Sequence, residues 1–362
     1  MSETLLLAEI TVALAVTVGF MFALRPVAKS VRLIDRPGGR KSHVGVVPVI
    51  GGLAMFGGLF AGLSLAGSEI QTLPSLSVAA MLLVGIGVID DKYPVPAGVR
   101  MLIQLAAILI MAYGAGLSLQ TLGDPFGIGP VNLGPAALIM TILVTLTVVN
   151  AYNLIDGVDG LAGSLALIAL LSLALVGGIG SPSTTIALNL FAAVVGFLVF
   201  NFPTPWNRRV RAFMGDAGST FLGFMIVWVT LGISQGPEAA ISPVYCLWFA
   251  AVPIFDLFTC VVRRSLARKS PFRPGRDHFH HTLKRGGMGV RLVLATLTGI
   301  QLIYAGVGLL GYYAGIPEPL MFTAWLLLAS TQRLLICTIR KQHRMWLMRR
   351  RREQPESATT GI

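Results

Sequence analysis

Apolar residues occur in long runs along this chain, and short polar segments separate the runs. Each run is close to the roughly 20 residues that an α-helix needs to cross the hydrocarbon core of a bilayer. The pattern predicts an all-α polytopic membrane protein with about eleven transmembrane helices. The predicted spans are roughly 4–24, 48–66, 75–89, 99–116, 135–153, 160–179, 183–202, 215–233, 242–262, 289–313 and 319–339.

The composition favours one membrane domain without a large soluble insertion. The chain is 54% hydrophobic and 12% charged, with a mean hydropathy of +0.76, whereas a soluble domain carries about 25% charged residues. We expect a single transmembrane domain over residues 1–340 and a basic tail over residues 341–362. The three cysteines lie in or near apolar runs without metal-ligand spacing, which indicates packing residues.

The distribution of basic residues predicts the orientation. When the loops are assigned alternately to two sides, all 28 Lys and Arg fall on one side, which the positive-inside rule makes cytoplasmic. The N-terminus is therefore expected outside, in the periplasm, and the C-terminus in the cytoplasm. Acidic residues before the first span and basic residues after it argue against a cleaved signal peptide. The net charge of +12 suits contact with anionic membrane lipids, and we expect no nucleic-acid partner.

Carboxylates lie on the same predicted cytoplasmic side as the cations, which indicates an active site for a charged, water-soluble substrate. A secondary transporter is the alternative, although many transporters contain two related halves and this chain shows no internal repeat. The outer segment Leu117–Pro135 has the turn signals of a small hairpin. The aspartates on the cytoplasmic side are Asp35, Asp90, Asp91, Asp156, Asp159, Asp216, Asp256 and Asp277.

The pair Asp90-Asp91 closes the third predicted span. Two adjacent carboxylates at the C-terminal end of a helix repel each other and face the negative end of the helix dipole. The pair therefore indicates a metal or phosphate-transfer site, with Lys92 beside it. A merely solvated helix end is the alternative interpretation.

The segment from Asn150 to Gly160 is unusually polar for the end of a membrane span. Asn150, Asn153 and Asp156 recur every three residues, which predicts one shared helix face. Gly157 and Gly160 then allow the backbone to approach a ligand. Amide and carboxylate oxygens are ligands that suit Mg²⁺, whereas the His and Cys ligands that suit Zn²⁺ are absent from this segment.

Two further aspartates lie near helix ends. Gly215–Ser219 opens the eighth span, and its small residues are expected to expose backbone N–H groups to a phosphate. Asp216 within it is alternatively an N-cap. Asp256 follows Pro253 near the inner end of the ninth span, where an ionisable group is a functional candidate and the proline is expected to break the helix.

Three of the five histidines, His278, His280 and His281, lie in a basic segment that includes Arg276 and Lys284. The surrounding positive charge favours a clamp for a phosphate or a nucleotide. A zinc site is the alternative interpretation, and Asp277 is its one nearby acidic partner in the sequence.

Together these motifs resemble the polyprenyl-phosphate N-acetylhexosamine-1-phosphate transferase family, most closely its undecaprenyl-phosphate N-acetylglucosamine-1-phosphate branch. The resemblance covers nearly the whole chain and rests mainly on Asp90-Asp91, on Asn150–Leu161 and on the segment His278–His281. It implies an enzyme of the phosphotransferase class. The lipid phosphate would attack UDP-N-acetylglucosamine (UDP-GlcNAc), UMP would leave, and a lipid-diphosphate-sugar would remain. By this resemblance the reaction would be the first membrane step in the synthesis of a cell-surface polysaccharide such as O-antigen or enterobacterial common antigen.

The resemblance also implies a cofactor, partners and a location. Mg²⁺, or alternatively Mn²⁺, would be held by Asn153 and Asp216. The partners would be UDP-GlcNAc, undecaprenyl phosphate and membrane lipids, with a homodimer as a possible assembly, in the cell inner membrane. Another UDP-N-acetylhexosamine or UDP-MurNAc-pentapeptide is the alternative donor.

The resemblance further implies a role for each matched residue. Asp90, Asp91, Asp156 and Asp159 would be catalytic, the first two beside the acceptor phosphate. The substrate-binding residues implied are Asn150, Gly215, Arg276, His278, His280 and His281 on the diphosphate, sugar or nucleotide, and Asp35, Lys41, His43 and Lys92 near the acceptor phosphate or its path of access.

Overall fold

In the part of the chain that the structure describes, the architecture is helical apart from one two-stranded ribbon. The computed structural model describes residues 3–35, 45–66, 70–204, 212–268 and 278–353. The helices are α1 (Glu3–Ser30), α2 (Gly51–Ala66), α3 (Leu73–Lys92), α4 (Ala97–Leu109), α5 (Ala137–Ile155), α6 (Leu161–Gly177), α7 (Pro182–Asn201), α8 (Gly215–Ser234), α9 (Pro243–Cys246), α10 (Ala251–Leu266), α11 (Phe279–Arg285), α12 (Val290–Tyr313) and α13 (Glu318–Glu353).

The expected polytopic membrane architecture is confirmed. Within the described residues, eight helices are long and apolar enough to cross a bilayer, and α2 and α6 are shorter apolar helices. The last predicted span, 319–339, lies within α13, which continues to Glu353. The eight candidate spans are Glu3–Ser30, Leu73–Lys92, Ala97–Gly114, Gly134–Ile155, Pro182–Asn201, Gly215–Ser234, Pro243–Leu266 and Val290–Tyr313.

The hairpin expected between Leu117 and Pro135 is confirmed. The Leu122 N–H donates to the Val131 carbonyl at 3.0 Å, and the Val131 N–H donates to the Gly123 carbonyl at 2.8 Å. The Gln235 side chain, just beyond α8, accepts from two backbone N–H groups of the hairpin. The hairpin is therefore held against the end of α8 that lies opposite Gly215.

A short β-ribbon, which the hydropathy pattern did not predict, joins two of the polar loops. Strand β1 (Ile34–Asp35) pairs antiparallel with β2 (Val47–Pro48). The Phe213 N–H then donates to the Pro48 carbonyl at 2.9 Å, and Val49 forms a parallel bridge with Phe213. The ribbon thereby fixes the start of α2 beside the start of α8.

Helix α8 is the most buried of the candidate spans, and it packs against α2, α3, α5, α6 and α7. Small residues let the backbones approach closely, as in other membrane helix bundles. A Cβ atom on Gly87 of α3 would lie 2.3 Å from the Cα of Ala217 in α8, so only glycine fits there. This contact brings the C-terminal end of α3 against the N-terminal end of α8.

The ninth predicted span is broken, although the break precedes Pro253. A 3₁₀ turn at Leu247–Ala250 separates α9 from α10. The buried Gln301 side chain of α12 replaces the lost helix bonds. Its Nε2 donates to the Trp248 and Phe249 carbonyls at 3.1 and 2.9 Å, and its Oε1 accepts from the Val252 N–H at 2.9 Å. Backbone groups freed inside a membrane protein need partners of this kind.

We predict that Gln301→Leu destabilises the protein by about 2–4 kcal/mol, because it leaves three buried backbone groups without partners. Gln332→Leu is the matched control, since the buried Gln332 amide has no hydrogen-bond partner among the described residues. Thermal unfolding in detergent should show a lower Tm for Gln301→Leu alone. Equal losses for the two variants would show that the Gln301 contacts do not stabilise the break.

Candidate active site

Polar side chains from three helices meet where α3 and α5 end and α8 begins. Asn153, in the last turn of α5, donates through Nδ2 to the Asp216 carboxylate at 2.8 Å and to Ser219 Oγ at 3.0 Å. Because the carboxylate accepts, the amide nitrogen must face Asp216, and the amide oxygen faces the other way. The Asp216 side chain remains 39% exposed. The structure thus brings together the two residues that the resemblance assigns to a metal.

Asp90 joins this group through Arg100, which lies in the first turns of α4. The Asp90 Oδ2 atom lies 2.6 Å from an Arg100 guanidinium nitrogen, and its Oδ1 accepts from the Val95 N–H at 2.8 Å. The same guanidinium nitrogen lies 3.6 Å from Asp216 Oδ2. Arg100 therefore bridges the carboxylates of α3 and α8. Arg100 was not predicted as a site residue, because its sequence position does not distinguish it from the topology-setting cations. The role of Ser219 as a partner of Asn153 was not predicted either.

Asp91 faces the N-terminus of α8 rather than the shared polar space. Its carboxylate accepts from the Asp216 N–H at 2.8 Å and from the Ala217 N–H at 3.2 Å. A carboxylate at this position satisfies orphan amides and opposes the positive end of the helix dipole. Two of the amides expected to be exposed to a phosphate, those of residues 216 and 217, are therefore occupied by Asp91. Gly215 itself lies against the Asp91 carboxylate.

Asp156 terminates α5, directly after the turn that carries Asn153. Burial, and then the neighbouring carboxylates of Asp216, Asp159 and Asp91, raise the pKa of Asp156 to about 8. The carboxylates named from the sequence are thus close enough to repel one another. Asp90 and Asp216 share a single guanidinium group, that of Arg100.

The histidine segment reaches the same loop from α11. His280 is 1% exposed, and its ring packs on Gly157, where a Cβ atom would lie 2.3 Å from Nε2. Neither ring nitrogen of His280 has a hydrogen-bond partner among the described residues. The His281 ring lies beside it, with centroids 4.1 Å apart. Burial, and then the charges of His281, His278 and Lys284, lower the pKa of His280 well below its ordinary value. His280 is therefore neutral at pH 7, with one donor and one acceptor.

His278 has a different environment from His280. Its Nδ1 atom lies 3.0 Å from Asp256 Oδ2 and 3.5 Å from Cys260 Sγ. Burial alone would lower the pKa of His278, but hydrogen bonds to Asp256 and Cys260 outweigh this effect and raise the pKa to about 9. His278 is thus a charged partner of Asp256 rather than a group that faces the carboxylate cluster.

Several residues named from the sequence lie elsewhere. Asn150 is exposed and donates to the Leu146 carbonyl of its own helix at 2.7 Å, so it does not share the face of Asn153. Lys92 lies over the Tyr93 ring, 4.9 Å from its centroid. Asp35 belongs to β1. Lys41, His43, Arg276 and Asp277 lie outside the described residues.

The ligand chemistry of the cluster fits a hard divalent cation. Asp90 and Asp216 present carboxylate oxygens, and Asn153 carries an amide oxygen that faces away from Asp216. Mg²⁺ and Mn²⁺ prefer oxygen ligands of these kinds over softer ligands. When bound, such a cation offsets negative charge on phosphate oxygens. The excess of carboxylates over guanidinium groups in the described cluster is what a cation would balance.

Comparison with known proteins assigns the chain to a family. Residues 73–234, which contain Asp90, Asn153 and Asp216, match the model of glycosyl transferase family 4. A protein of Salmonella typhi called undecaprenyl-phosphate alpha-N-acetylglucosaminyl 1-phosphate transferase is 34% identical over 89% of this chain and 88% of its own length. Proteins of the same name from Escherichia coli (strain K12) and Haemophilus influenzae are 34% and 32% identical, each over 85% of this chain and over 84% and 87% of their own lengths. The chain therefore belongs to glycosyl transferase family 4.

Proposed function

We propose that this protein transfers N-acetylglucosamine-1-phosphate from UDP-GlcNAc to undecaprenyl phosphate, giving undecaprenyl-diphospho-N-acetylglucosamine and UMP. The observation that carries the proposal is the polar cluster in which Asn153, Asp216, Arg100 and Asp90 are joined at the ends of four membrane helices. The relatives named above act, by their names, on the same acceptor and sugar. Which polysaccharide the product feeds is a separate question, and O-antigen or enterobacterial common antigen is our expectation.

The reaction needs alignment and charge neutralisation more than covalent help from the protein. An oxygen of the lipid phosphate forms a bond to the sugar-side phosphorus, and the bond from that phosphorus to the UMP oxygen breaks. A phosphate monoester has a second pKa of about 6, so the acceptor is mostly dianionic at neutral pH and needs no strong base. Both Asp90 oxygens accept hydrogen bonds. We therefore assign Asp90 to holding Arg100 in place rather than to proton removal.

The proposed cofactor is Mg²⁺, with Mn²⁺ as a substitute, held by Asp216. Asn153 would add its amide oxygen as a ligand after the amide rotates away from its present hydrogen bond to Asp216. We predict that EDTA abolishes turnover and that Mg²⁺ or Mn²⁺ restores it, because the carboxylate cluster otherwise repels the diphosphate. Isothermal titration of the protein with Mg²⁺ alone gives a readout that is independent of activity. Full turnover in excess EDTA would show that no such cation is needed.

The proposed orientation places the site at the cytoplasmic face of the cell inner membrane, with eleven spans that include α2, α6 and the first part of α13. Its support is that all 28 Lys and Arg then fall inside. We predict that reporter tags place the N-terminus in the periplasm and the C-terminus in the cytoplasm. A cytoplasmic signal at both termini would mean that one span has been miscounted.

An apolar cavity of about 190 Å³ is bordered by α5, α8, the α9–α10 segment and the hairpin, so it extends toward the end of α8 opposite Gly215. Residues such as Val148, Ile226 and Ile254 line it. An acceptor with a long isoprenoid chain needs apolar surface of this kind, because hydrocarbon gains free energy when it is removed from water.

A donor panel tests the proposed function. Purified protein is incubated with undecaprenyl phosphate and, separately, with UDP-GlcNAc, other UDP-N-acetylhexosamines and UDP-MurNAc-pentapeptide, and lipid-extractable product is measured. The highest kcat/KM is expected for UDP-GlcNAc. A higher value for another donor would overturn the choice of sugar. Accumulation of an unreacted donor inside vesicles would instead show a carrier.

A further inference from the structure

One buried carboxylate outside the polar cluster holds the histidine segment in place. Asp256, in α10, is 2% exposed. Its Oδ2 atom lies 3.0 Å from His278 Nδ1, and its Oδ1 accepts from the Phe279 N–H at 2.7 Å. These two groups belong to consecutive residues, 22 and 23 positions further along the chain. Asp256 thus fixes both the side chain before α11 and the first backbone N–H of α11.

The contact is well suited to hold a segment rigidly. His278 is 3% exposed, so the Asp256–His278 pair is removed from water. Removing one partner from such a pair leaves an uncompensated buried group, which makes the paired geometry strongly preferred. Phe279 is 1% exposed and anchors the same turn in the apolar core.

The segment held by Asp256 leads directly to the proposed reaction site. His280 follows Phe279, and its ring lies in contact with Gly157, next to Asp156. The rings of His278 and His280 are parallel within 8°, with centroids 6.0 Å apart. Because the two bonds of Asp256 fix the start of α11, they also fix the direction of the His280 ring. Neither nitrogen of that ring has a hydrogen-bond partner among the described residues.

We propose that Asp256 is a positioning residue for the transfer reaction: through His278 and the Phe279 N–H it holds His280 against the Asp156–Gly157 turn, where His280 meets the phosphorylated substrate. This inference rests on the proposed function. No described hydrogen bond joins Asp256 to the polar cluster of Asp90, Asn153 and Asp216. Its effect on the reaction must therefore pass through the histidine segment.

A metal centre is the competing interpretation of the same residues. Ligand atoms of Asp256, Cys260 and His278 all lie within 4.8 Å of one another. However, one Asp256 oxygen already accepts the Phe279 N–H, and the other is at hydrogen-bond distance from the His278 ring. The group is thus complete as a hydrogen-bonded anchor, and metal binding would require the His278 contact to be rebuilt.

A double-mutant cycle between Asp256 and His280 tests the proposal. Asp256→Ala is expected to lower kcat by about ten- to 100-fold, the usual cost of losing a hydrogen bond to a charged group. In the His280→Ala background the same substitution should lower kcat by less than about threefold, because the group that Asp256 positions is already gone. Asp256→Asn keeps an acceptor for the Phe279 N–H. It replaces Asp256→Ala in the same double-mutant cycle if the alanine variant does not fold.

Two outcomes would overturn the proposal. Equal fold losses in both backgrounds would mean that Asp256 acts independently of His280. One zinc per chain by elemental analysis, lost in Cys260→Ala together with activity, would mean a metal centre, whereas the anchor predicts that Cys260→Ala stays within about threefold of the parent. Absence of any transfer by the unmodified protein would instead overturn the proposed function, so the two failures are distinguishable.

Discussion

Replacing Asp216 with Ala is expected to lower turnover by about 100- to 1000-fold, the usual cost of removing one electrostatic group from a phosphoryl-transfer or oxyanion site. Asp216 is the one carboxylate that contacts both Asn153 and Arg100 in the described cluster. Without it, the proposed cation loses a ligand and Asn153 loses the bond that orients its amide. Turnover is measured as UMP release at saturating concentrations of both substrates.

Folding should survive this substitution, because the Asp91 carboxylate caps α8 through the backbone N–H groups of residues 216 and 217. Those N–H groups remain in the Asp216→Ala variant. Asp91→Ala is the matched comparison: it removes the cap and should cost about 1 kcal/mol of stability as well as activity. An Asp216→Ala variant that keeps more than a tenth of the activity would exclude Asp216 as a cation ligand.

Replacing His280 with Ala is expected to lower kcat/KM for UDP-GlcNAc by about ten- to 150-fold, which corresponds to the loss of one charge-assisted contact. The ring is buried against the Asp156–Gly157 turn, and both of its nitrogens lack a hydrogen-bond partner among the described residues. A contact with a phosphate therefore requires the ring to be uncovered when the substrate binds. If the contact strengthens during transfer, kcat will fall further than KM rises. The KM for undecaprenyl phosphate should change little.

Gly157→Ala provides a converse test, because its Cβ would push the His280 ring away without removing it. It should reduce kcat/KM for UDP-GlcNAc in the same direction. Gly299→Ala is the control, since a Cβ there meets no atom within 4 Å. A selective rise in the KM for undecaprenyl phosphate in His280→Ala or Gly157→Ala would show that this loop binds the acceptor rather than UDP-GlcNAc.

The meeting of Asp90, Asn153 and Asp216 could be predicted because each lies at a helix end on the same side of the membrane. The helix face on which each of these side chains lies could not be predicted. A spacing of three residues turns a helix by about 300°, so Asn150 is rotated by about 60° from Asn153 and bonds its own helix instead. Which of the two adjacent carboxylates would cap α8 depends on the close packing of Gly87 on Ala217, which hydropathy does not encode.

The roles of Arg100 and Asp256 could not be predicted from the sequence, for a different reason. Arg100 fits the general pattern of topology-setting cations. Its contact with Asp90 and Asp216 depends on the turn between α3 and α4, which the sequence pattern does not specify. Asp256 was named as an ionisable residue within a span, but its partner lies 22 residues away across a polar loop. Sequence patterns report local periodicity, whereas these contacts depend on how separate elements pack.

The most direct test of the proposed reaction follows the phosphorus atom next to the sugar. UDP-GlcNAc labelled with ³²P in that phosphate is incubated with the purified protein, Mg²⁺ and undecaprenyl phosphate, and the lipid and aqueous phases are separated. We predict that the label moves into the lipid phase with the sugar and that unlabelled UMP appears in the aqueous phase in equal amount. Label recovered in the aqueous phase as UDP, with sugar alone in the lipid, would contradict transfer of a sugar phosphate.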